Sequence, residues 1–370
     1  MHGEGGNLRL AELRLKNFRN YSDFNLGSIG PLTAFVGPNA IGKTNILEAI
    51  HVVTTSSSFR SVKLDEMIGW GSQAARVEAR IVSDARDVDA AVELHPGQKH
   101  CFLNGKKKPS QDLQGLLAAV VFSPDDLNLI KGANSLRRNA LDQLGGQMSK
   151  NYRILRRDYD KIIRHKNTLL KENHPGALMD AVDAMVAMTG SQLLRYRMAL
   201  VRRLSDRLPE VYGRIAGTNE LVGMAYEPSW ACGDLPDEGE IEDCLLRTLR
   251  AARQEEISRG RCVVGPHADK VTLTVAGRDA SSFASQGQQR SLVLAWKIAE
   301  VELITEITGT KPLLLLDDVM SELDVRRRHA LVDLLLQDIQ TFITTTDASF
   351  FEPSILERAR IIELPWGKGE

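Results

Sequence analysis

The sequence predicts an α/β fold that has a β-rich portion and carries an inserted, antiparallel helical arm. Three observations lead to this fold class. Segments near both ends of the chain alternate apolar and polar residues, which is the period of a half-buried strand. Buried aliphatic runs near both ends are each followed by helical periodicity, as in an α/β core. The middle of the chain has long helical periodicity instead.

The N-terminal region contains most of the predicted strands. Residues 11–18 read A-E-L-R-L-K-N-F and alternate, whereas residues 32–36 form a fully apolar run. Short alternating segments separated by turns, among them an N-G turn at Asn104, follow at residues 77–82, 90–94 and 99–103. This region is therefore expected to be α/β with a β-rich part.

Residues 135–217 predict two antiparallel helices of roughly 35 to 40 residues, each about 55 Å long. The break between them falls at residues 173–176, which read N-H-P-G. Residues 135–172 carry ten Lys or Arg against four Asp or Glu, so this arm is basic. Such a charge run suits a nucleic-acid surface, but it also suits a solvated helical face in which Arg138 and Asp142 form an i,i+4 pair.

Strand signals resume after residue 260, at residues 271–275, 312–316 and 342–346. The predicted domains are therefore an N-terminal part of an α/β core domain at 1–134, an inserted helical and partly basic domain at 135–255, and the C-terminal part of the core domain at 256–370. No internal repeat or low-complexity tract interrupts this arrangement.

Composition limits the function classes. With 47 Lys and Arg against 48 Asp and Glu, the formal net charge is -1, so a nucleic-acid surface requires local segregation of charge. The four cysteines lack C-x-x-C spacing, which argues against zinc and a disulfide framework and favours reduced thiols. No signal core or membrane-length apolar run is present, so a soluble, cytoplasmic protein without membrane partners is expected.

Residues 37–44 read G-P-N-A-I-G-K-T and match the phosphate loop G-x-x-x-x-G-K-[ST]. The match follows a predicted strand and opens a predicted helix, which an ordinary Gly-rich turn would not require. Such a loop points backbone N–H groups at phosphates, while Lys43 reaches the terminal phosphates and Thr44 offers its hydroxyl to Mg²⁺. The predicted phosphate-binding residues are Gly37, Pro38, Asn39, Ala40, Ile41, Gly42, Lys43 and Thr44.

A second magnesium anchor is predicted at the end of the apolar run L-L-L-L-D-D, residues 313–318. Asp317 is expected to hold the metal through its coordinated water, and Asp318 to orient or deprotonate the attacking water as the catalytic residue. Two solvent-facing acids after a buried strand are the alternative. Thr44 and Asp317 lie 273 positions apart, so a substantial insertion separates the two halves of the site.

Two further motifs flank that apolar run, namely A-S-Q-G-Q at residues 284–288 and S-E-L-D at residues 321–324. A helix cap by Ser285 or Ser282 is the simplest interpretation of the first motif. However, phosphate loop, S-x-G-Q signature, acidic strand end and S-E-L-D occur in the order that resembles ATPases of the ABC superfamily, in its SMC-like branch. The sequence is more closely similar to the RecF family, on the strength of N-F-R-N-Y (17–21), S-F-R-S (58–61), F-S-P-D-D-L (122–127), R-R-N-A-L-D (137–142), G-P-H-A-D (265–269) and D-D-V-M-S-E-L-D (317–324).

The resemblance implies an ABC-type ATPase head, with a mixed sheet and helices plus a β-rich portion, that binds ATP and Mg²⁺. It also implies an ATP-dependent homodimer in which Ser285, Gly287 and Gln288 of one subunit cap the ATP on the other subunit's phosphate loop. Arg60, in S-F-R-S, matches a family position that contacts nucleotide, although a surface ion pair is an alternative for this arginine.

The chain departs from the wider ABC pattern in three ways. Asp318 replaces the usual glutamate, T-T-T-D at residues 344–347 stands where a switch histidine is usual, and no glutamine-bearing loop is recognisable, although F-S-P-D-D-L suits its place. The shorter side chain of Asp318 implies slow hydrolysis.

The function that the resemblance implies is ATP-gated binding of single-stranded or gapped DNA in recombinational repair, replication restart and the SOS response. RecO and RecR are the implied protein partners, and the implied activity is a weak, DNA-stimulated ATPase. Two alternatives are the nucleotide-binding subunit of an ABC transporter, which needs no basic arm, and a small-molecule kinase, which gives no role to the S-x-G-Q residues.

Overall fold

The structure is a computed structural model in which two compact parts can be distinguished. It describes residues 8–60, 62–83, 87–172, 176–230, 238–320, 323–335, 337–347, 355 and 357–364, except for the side chains of residues 238 and 239. Unit 1 comprises Met1–Leu127, Val211–Thr218 and Arg290–Glu370, and unit 2 comprises Asn128–Glu210 and Asn219–Gln289. Unit 2 differs from the predicted insertion 135–255 because it also takes in residues 128–134 and 256–289 and leaves out 211–218.

Unit 1 contains two sheets, one antiparallel and one parallel. The antiparallel sheet has the order β2-β1-β4-β5-β6-β7, formed by β1 (Arg9–Phe18), β2 (Tyr21–Leu26), β4 (Ala75–Val82), β5 (Asp87–His95), β6 (Gln98–Leu103) and β7 (Lys106–Lys108). The parallel sheet has the order β14-β3-β13-β12-β8, formed by β3 (Leu32–Val36), β8 (Ala119–Phe122), β12 (Leu313–Asp317), β13 (Thr341–Thr345) and β14 (Arg360–Glu363).

Helix α1 (Lys43–Thr55) packs against strands of both sheets, and its apolar side chains join the main hydrophobic core. The fully buried strands β12 and β13 need no polar face because neighbours cover both sides of the parallel sheet. Unit 1 also holds α2 (Ser110–Leu113), α11 (Val325–Leu335), two short 3₁₀ turns (Leu64–Met67 and Pro124–Leu127), the end of α6 (Gly176–Ala216) and most of α10 (Gln286–Thr308).

Unit 2 is mainly helical and contains one small antiparallel sheet with the order β11-β10-β9. Its strands are β9 (Val222–Glu227), β10 (Lys270–Val275) and β11 (Arg278–Asp279). Its helices are α3 (Asn128–Lys131), α4 (Asn134–Met148), α5 (Lys150–Glu172), α7 (Glu238–Ala251), α8 (Arg253–Arg259) and α9 (Ala280–Phe283), and it holds most of α6 (Gly176–Ala216) and the start of α10 (Gln286–Thr308).

The α/β fold class with its antiparallel helical arm is confirmed, but the first predicted long helix is wrong because it is two helices. Ser149 breaks it in an extended conformation, and the Ser149 hydroxyl then accepts a hydrogen bond from Tyr152 N at 3.2 Å to cap α5. Helices α5 and α6 are antiparallel, since Tyr152 contacts Tyr196 while Lys166, further along α5, pairs with the earlier Asp183. Of the predicted break at residues 173–176, residues 173–175 lie outside the described residues, and Gly176 is the first residue of α6.

The cysteines and the membrane prediction have separate outcomes. Cys101 and Cys262 are free and buried, but the expectation of a reduced thiol is wrong for Cys244, which forms a disulfide bond. Cys232 lies outside the described residues. Within the part of the chain that the structure describes, no helix combines the length and apolar character that crossing a membrane requires.

Candidate nucleotide-binding site

The phosphate loop joins the end of β3 to the start of α1, as the motif predicts. Gly37 N donates to Thr345 O at 3.2 Å, which ties the loop's first residue to the end of β13. Gly42 has φ +109°, and a Cβ there would lie 2.4 Å from the side chain of Asn20, so the position requires glycine. Ala40 also has a positive φ of 64°, which completes the curl of the loop.

Lys43 is held inside the loop by backbone carbonyl groups. Its side chain is buried, and Nζ donates to Gly37 O at 2.7 Å and to Pro38 O at 3.0 Å. Neither acceptor is a carboxylate, so the ammonium charge is not neutralised by these bonds. The lysine, the curled backbone and the N-terminus of α1 together suit a polyphosphate.

The predicted metal residues lie side by side. Thr44 Oγ1 donates to Asp317 Oδ1 at 2.8 Å, across the 273 positions that separate them in sequence. Burial raises the pKa of Asp317, while hydrogen bonds from Thr44 and Thr344 and the positive charge of Arg60 act in the opposite direction. A hydroxyl and a carboxylate at this spacing are hard oxygen donors, which is the ligand chemistry that Mg²⁺ prefers.

Asp318 occupies an unusual backbone conformation directly after the strand. Its φ is +53°, in the left-handed region that few residues other than Gly, Asn and Asp adopt. Asp318 N donates to Thr344 Oγ1 at 2.9 Å and to Thr344 O at 3.2 Å. The turn therefore directs the second acid away from the strand direction that Asp317 follows.

The β1–β2 turn supports the phosphate loop from one side, which the sequence did not predict. Asn20 Nδ2 donates to Ile41 O at 2.9 Å, and its Oδ1 accepts from Asn45 Nδ2 at 2.8 Å. Tyr21 donates through its hydroxyl to Gly42 O at 3.3 Å. Both residues belong to N-F-R-N-Y, so the motif was visible although its role was not.

Arg60 lies close to this support. Its Nη1 donates to Asn45 Oδ1 at 3.0 Å and lies 3.8 Å from the buried Glu48, and the side chain remains 40% exposed. Glu48 also pairs with Arg19 at 2.7 Å and accepts from Ser58 Oγ at 2.5 Å. Arg60 therefore lies within ion-pair distance of Glu48, as the alternative interpretation expected, and its positive charge also acts to lower the pKa of Asp317.

The signature residues Ser285, Gly287 and Gln288 belong to unit 2, whereas the phosphate loop belongs to unit 1. Ser285 and Gln288 form a reciprocal cap at the start of α10: Ser285 N donates to Gln288 Oε1 at 2.8 Å, and Gln288 N donates to Ser285 Oγ at 3.2 Å. Gln288 also donates to Glu220 at 2.6 Å. Gly287 falls in the first turn of α10. Ser282 does not cap α10. It lies in the short helix α9, which Asp279 caps by accepting hydrogen bonds from Ser281 N and Ser282 N.

F-S-P-D-D-L follows β8 and is tied to α10 within unit 1. Asp126 accepts a hydrogen bond from Ser123 N at 2.6 Å and lies 3.3 Å from Lys297 Nζ. Burial would lower the pKa of Lys297, but the charges of Asp126 and Glu300 raise it above its ordinary value.

Two other motifs are only partly described. Ser321 and Glu322 of S-E-L-D and Ser61 of S-F-R-S lie outside the described residues. Asp324 of S-E-L-D caps α11 by accepting a hydrogen bond from Arg327 N at 3.0 Å.

The basic arm is only partly a charged surface. Arg137 and Lys166 are buried, and Arg138 donates to Asp269 O instead of pairing with Asp142. The i,i+4 alternative is therefore wrong, because Asp142 is bound instead by Arg197 at 2.8 Å. The cations that remain exposed on α5 include Arg157, Lys161, Arg164 and Lys171.

The family model of the RecF/RecN/SMC N-terminal domain matches residues 9–362. The DNA replication and repair protein RecF of Myxococcus xanthus (strain DK1622) is 38% identical over 348 residues, which cover 92% of each chain. The corresponding protein of Symbiobacterium thermophilum is 40% identical over 345 residues, or 91% of each chain.

Solved structures agree with these relatives. Two structures of the recombination mediator protein RecF in the RecFOR pathway, with ATPrS and with ATP, superpose with a TM-score of 0.88 at 30% identity over 95% of this chain and 96% of theirs. An Smc head domain from Pyrococcus furiosus, at 16% identity and a TM-score of 0.54, covers 96% of this chain and shares the fold. The chain therefore belongs to the RecF family of DNA replication and repair proteins, within the RecF/RecN/SMC group.

Proposed function

We propose that this protein is an ATP-gated, DNA-binding homodimer in which nucleotide closes the dimer on DNA and slow hydrolysis reopens it. The observation that carries the proposal is the joining of Thr44 and Asp317 beneath a curled phosphate loop, in a member of a DNA repair family. Such an arrangement serves phosphoryl chemistry through positioning and charge stabilisation.

Each residue of the site has a distinct part in binding ATP with Mg²⁺. Bound Mg²⁺ would neutralise phosphate charge, and Thr44 and Asp317 are the residues that would hold it. Lys43 would exchange two backbone carbonyls for phosphate oxygens, which are stronger acceptors for an ammonium group. Arg60 adds positive charge at the same end of α1.

Asp318 is the proposed catalytic residue. Its carboxylate would accept a proton from, or orient, the attacking water. Because aspartate is one methylene shorter than the glutamate of most ABC ATPases, slow turnover is expected, which suits a switch better than a motor.

The signature supplies the dimer half of the proposal. Ser285 and Gln288 already satisfy the first turn of α10 through their reciprocal cap, and that turn retains its partial positive charge. Ser285, Gly287 and Gln288 would meet the terminal phosphate held by the partner subunit, which makes each site incomplete in a monomer.

The proposed DNA surface is the α5 stripe, defined as Arg157, Lys161, Arg164 and Lys171. These residues follow the spacing i, i+4, i+7, i+14, which places them on one face of a helix, and all four are exposed. The stripe is about 21 Å long at 1.5 Å per residue. DNA carries one phosphate per about 3.4 Å of each strand, so the stripe can follow several phosphates.

The cellular role follows from the family, with single-stranded or gapped DNA as substrate and recombinational repair, replication restart and the SOS response as the setting. RecO and RecR, in the cytoplasm, are the proposed partners. Residues 135–255 are proposed as the functional arm, although the compact unit is larger. Family membership favours this role over a transporter subunit or a small-molecule kinase.

The DNA half is tested by removing three charges from each of two exposed surfaces. Lys161→Gln/Lys171→Gln/Arg164→Gln on α5 is compared with Lys106→Gln/Lys107→Gln/Lys108→Gln on the exposed strand β7, which changes the net charge equally. Binding of gapped DNA is measured with ATP and Mg²⁺ between about 50 and 200 mM salt, as in a standard counterion-release experiment.

The α5 variant is expected to lose at least about tenfold in affinity and to lower the salt slope by about 2 to 3, because each lost phosphate contact releases one counterion fewer. The β7 variant should bind as the native protein does. Equal losses in both variants, or a loss confined to β7, would contradict the α5 stripe, and ATP-independent DNA binding would contradict the gate.

The dimer half is tested by mixing two inactive variants, Lys43→Ala and Ser285→Ala. If the signature acts across the interface, a mixed dimer has one site with both defects and one native site. An equal mixture should then recover up to about a quarter of native ATPase activity, since about half of the dimers are mixed. Native turnover per molecule that does not rise with protein concentration would reject the dimer.

A further inference from the structure

Thr344 stands between the two acids of the candidate site. Strands β12 and β13 run parallel, and their register places Thr344 opposite Asp317. Thr344 Oγ1 donates to Asp317 Oδ1 at 2.8 Å, and the same oxygen accepts from Asp318 N at 2.9 Å. Thr344 is fully buried, so water does not compete for these bonds.

The chemistry of a hydroxyl fixes the direction of both bonds. A threonine hydroxyl has a single hydrogen and two acceptor lone pairs. The amide of Asp318 can only donate, so it uses a lone pair of the hydroxyl, and the hydroxyl hydrogen is directed to Asp317. One side-chain group thus connects the carboxylate of one acid to the backbone of the next.

We propose that Thr344 is a positioning residue that holds the carboxylate of Asp317 for the metal and the backbone of Asp318 in its left-handed turn. The inference rests on the proposed ATP-binding function and extends it to a residue in T-T-T-D, the segment where a switch histidine is usual in related ATPases.

Two features of the site make this role consequential. Asp317 Oδ1 accepts from Thr44 as well as from Thr344, so Thr344 is the donor that remains when Thr44 turns its hydroxyl to a metal. The left-handed conformation of Asp318 is sterically disfavoured for a residue with a Cβ, and its amide is held there by both the hydroxyl and the carbonyl of Thr344.

The matched pair Thr344→Val and Thr344→Ser tests the hydroxyl. Valine keeps the shape and removes the hydroxyl, whereas serine keeps the hydroxyl and removes the methyl group. Thr33→Val is the control: Thr33 lies on the adjacent strand β3 opposite Phe342 and is equally buried, and its hydroxyl makes no hydrogen bond within the described part of the chain. Mg²⁺ is titrated against a fluorescent ATP analogue without DNA, and analogue binding in excess EDTA is measured in parallel.

Thr344→Val is expected to raise the Mg²⁺ concentration for half-maximal binding about tenfold, as for the loss of other partners of metal ligands, while binding in EDTA is unchanged. Thr344→Ser and Thr33→Val should both match the native protein in this titration. A native Mg²⁺ dependence in Thr344→Val would overturn the proposal, as would a loss in Thr344→Ser equal to that in Thr344→Val.

Thermal unfolding distinguishes a positioning role of Thr344 from a purely structural one. A purely structural role would lower the melting temperature of Thr344→Val without moving the Mg²⁺ titration. If Thr344→Val does not fold, Thr344→Ala takes its place, and Thr344→Ser must still keep native Mg²⁺ dependence. Absence of analogue binding by the native protein would reject the proposed function itself, whereas a normal titration with no DNA gate would leave the role of Thr344 intact.

Discussion

Unit 1 and unit 2 each contain a cluster of buried charged and polar side chains, and the two clusters differ in what satisfies their cations. In the nucleotide site, Lys43 is bonded to two backbone carbonyls, and Arg60 is 40% exposed. In unit 2, Arg197 is 1% exposed and binds both oxygens of Asp142 at 2.8 Å.

The difference shows how to distinguish a ligand-binding site from a structural joint, by which we mean a buried polar cluster that only connects segments of the chain. A cation held by neutral carbonyls keeps its charge available for an incoming anion, whereas a cation matched by a buried carboxylate has no charge to offer. The polar cluster of unit 2, namely Asp142, Arg197, Tyr226, His267 and Asp269, therefore joins R-R-N-A-L-D to G-P-H-A-D and has a structural role.

The largest expected effect is on the stability of unit 2 when Arg197 is replaced. Arg197→Met should destabilise unit 2 by about 3 to 5 kcal/mol, because Asp142 would lose its bidentate partner while remaining largely buried. Arg259→Met is the control within unit 2, since Arg259 pairs at the surface with Glu255 and should contribute less than about 1 kcal/mol. Urea unfolding measures both, and similar midpoints for the two variants would contradict the joint.

In the nucleotide site the opposite outcome is expected. Lys43→Ala should reduce ATP affinity at least about 100-fold, since the phosphates lose a charge-assisted hydrogen bond, and should change the urea midpoint little. Lys99→Ala is the control, because Lys99 likewise donates to a backbone carbonyl, that of Ser56, which lies at the end of α1 opposite the phosphate loop. Fluorescent-nucleotide titration decides between them, and strong destabilisation by Lys43→Ala would mean that its bonds are structural.

Asp318→Asn separates binding from hydrolysis in the same site. Asparagine tolerates a positive φ at least as well as aspartate, so the turn at φ +53° should persist. We expect native ATP affinity with turnover reduced about 100-fold, because an amide cannot accept the proton of the attacking water. The hydrolysis rate is measured under single-turnover conditions with the purified variant, and a native rate would show that another residue positions the water.

The motifs were predictable from sequence because their determinants are local. The phosphate loop at residues 37–44 and the acidic strand end at Asp317 follow from short patterns of fixed spacing, and the structure brings Thr44 and Asp317 together. The boundaries of β3 were also predicted, since a continuous apolar run between turn residues has few alternatives.

What sequence could not reveal depends on pairing between distant segments. In the sequence of residues 135–172, nothing distinguishes a buried cation such as Lys166 from an exposed one such as Lys161. Lys166 is buried because it pairs with Asp183 and Glu256, which come from other segments of the chain. The role of Thr344 likewise depends on the β12–β13 register, and the break at Ser149 depends on how Tyr152 packs against Gly145.

The smallest expected effect concerns pH and again separates the two units. Burial lowers the pKa of His267 to about 4, and the ring is held between Tyr159, whose hydroxyl lies 2.8 Å from Nδ1, and the carbonyl of Cys262, 3.1 Å from Nε2. The carbonyl can only accept, so Nε2 carries the hydrogen and Nδ1 accepts from the tyrosine. A second proton on Nδ1 would oppose that donor.

Because the folded pKa of His267 lies below the unfolded value of about 6.5, the unfolded chain binds more protons in between, and stability falls as pH drops from about 6.5 towards 4. Between pH 7.5 and pH 5.5 the loss attributable to His267 should be about 1 kcal/mol. It is measured as the difference in pH dependence of urea unfolding between native protein and His267→Gln. His51, whose pKa burial also lowers to about 4, provides the control in unit 1, because His51→Gln should alter the pH dependence of unit 1 and leave that of unit 2 unchanged. If His267→Gln has the native pH dependence, the polar cluster of unit 2 does not hold the His267 ring neutral. The titration of His267 would then no longer distinguish the cluster of unit 2 from the nucleotide site of unit 1.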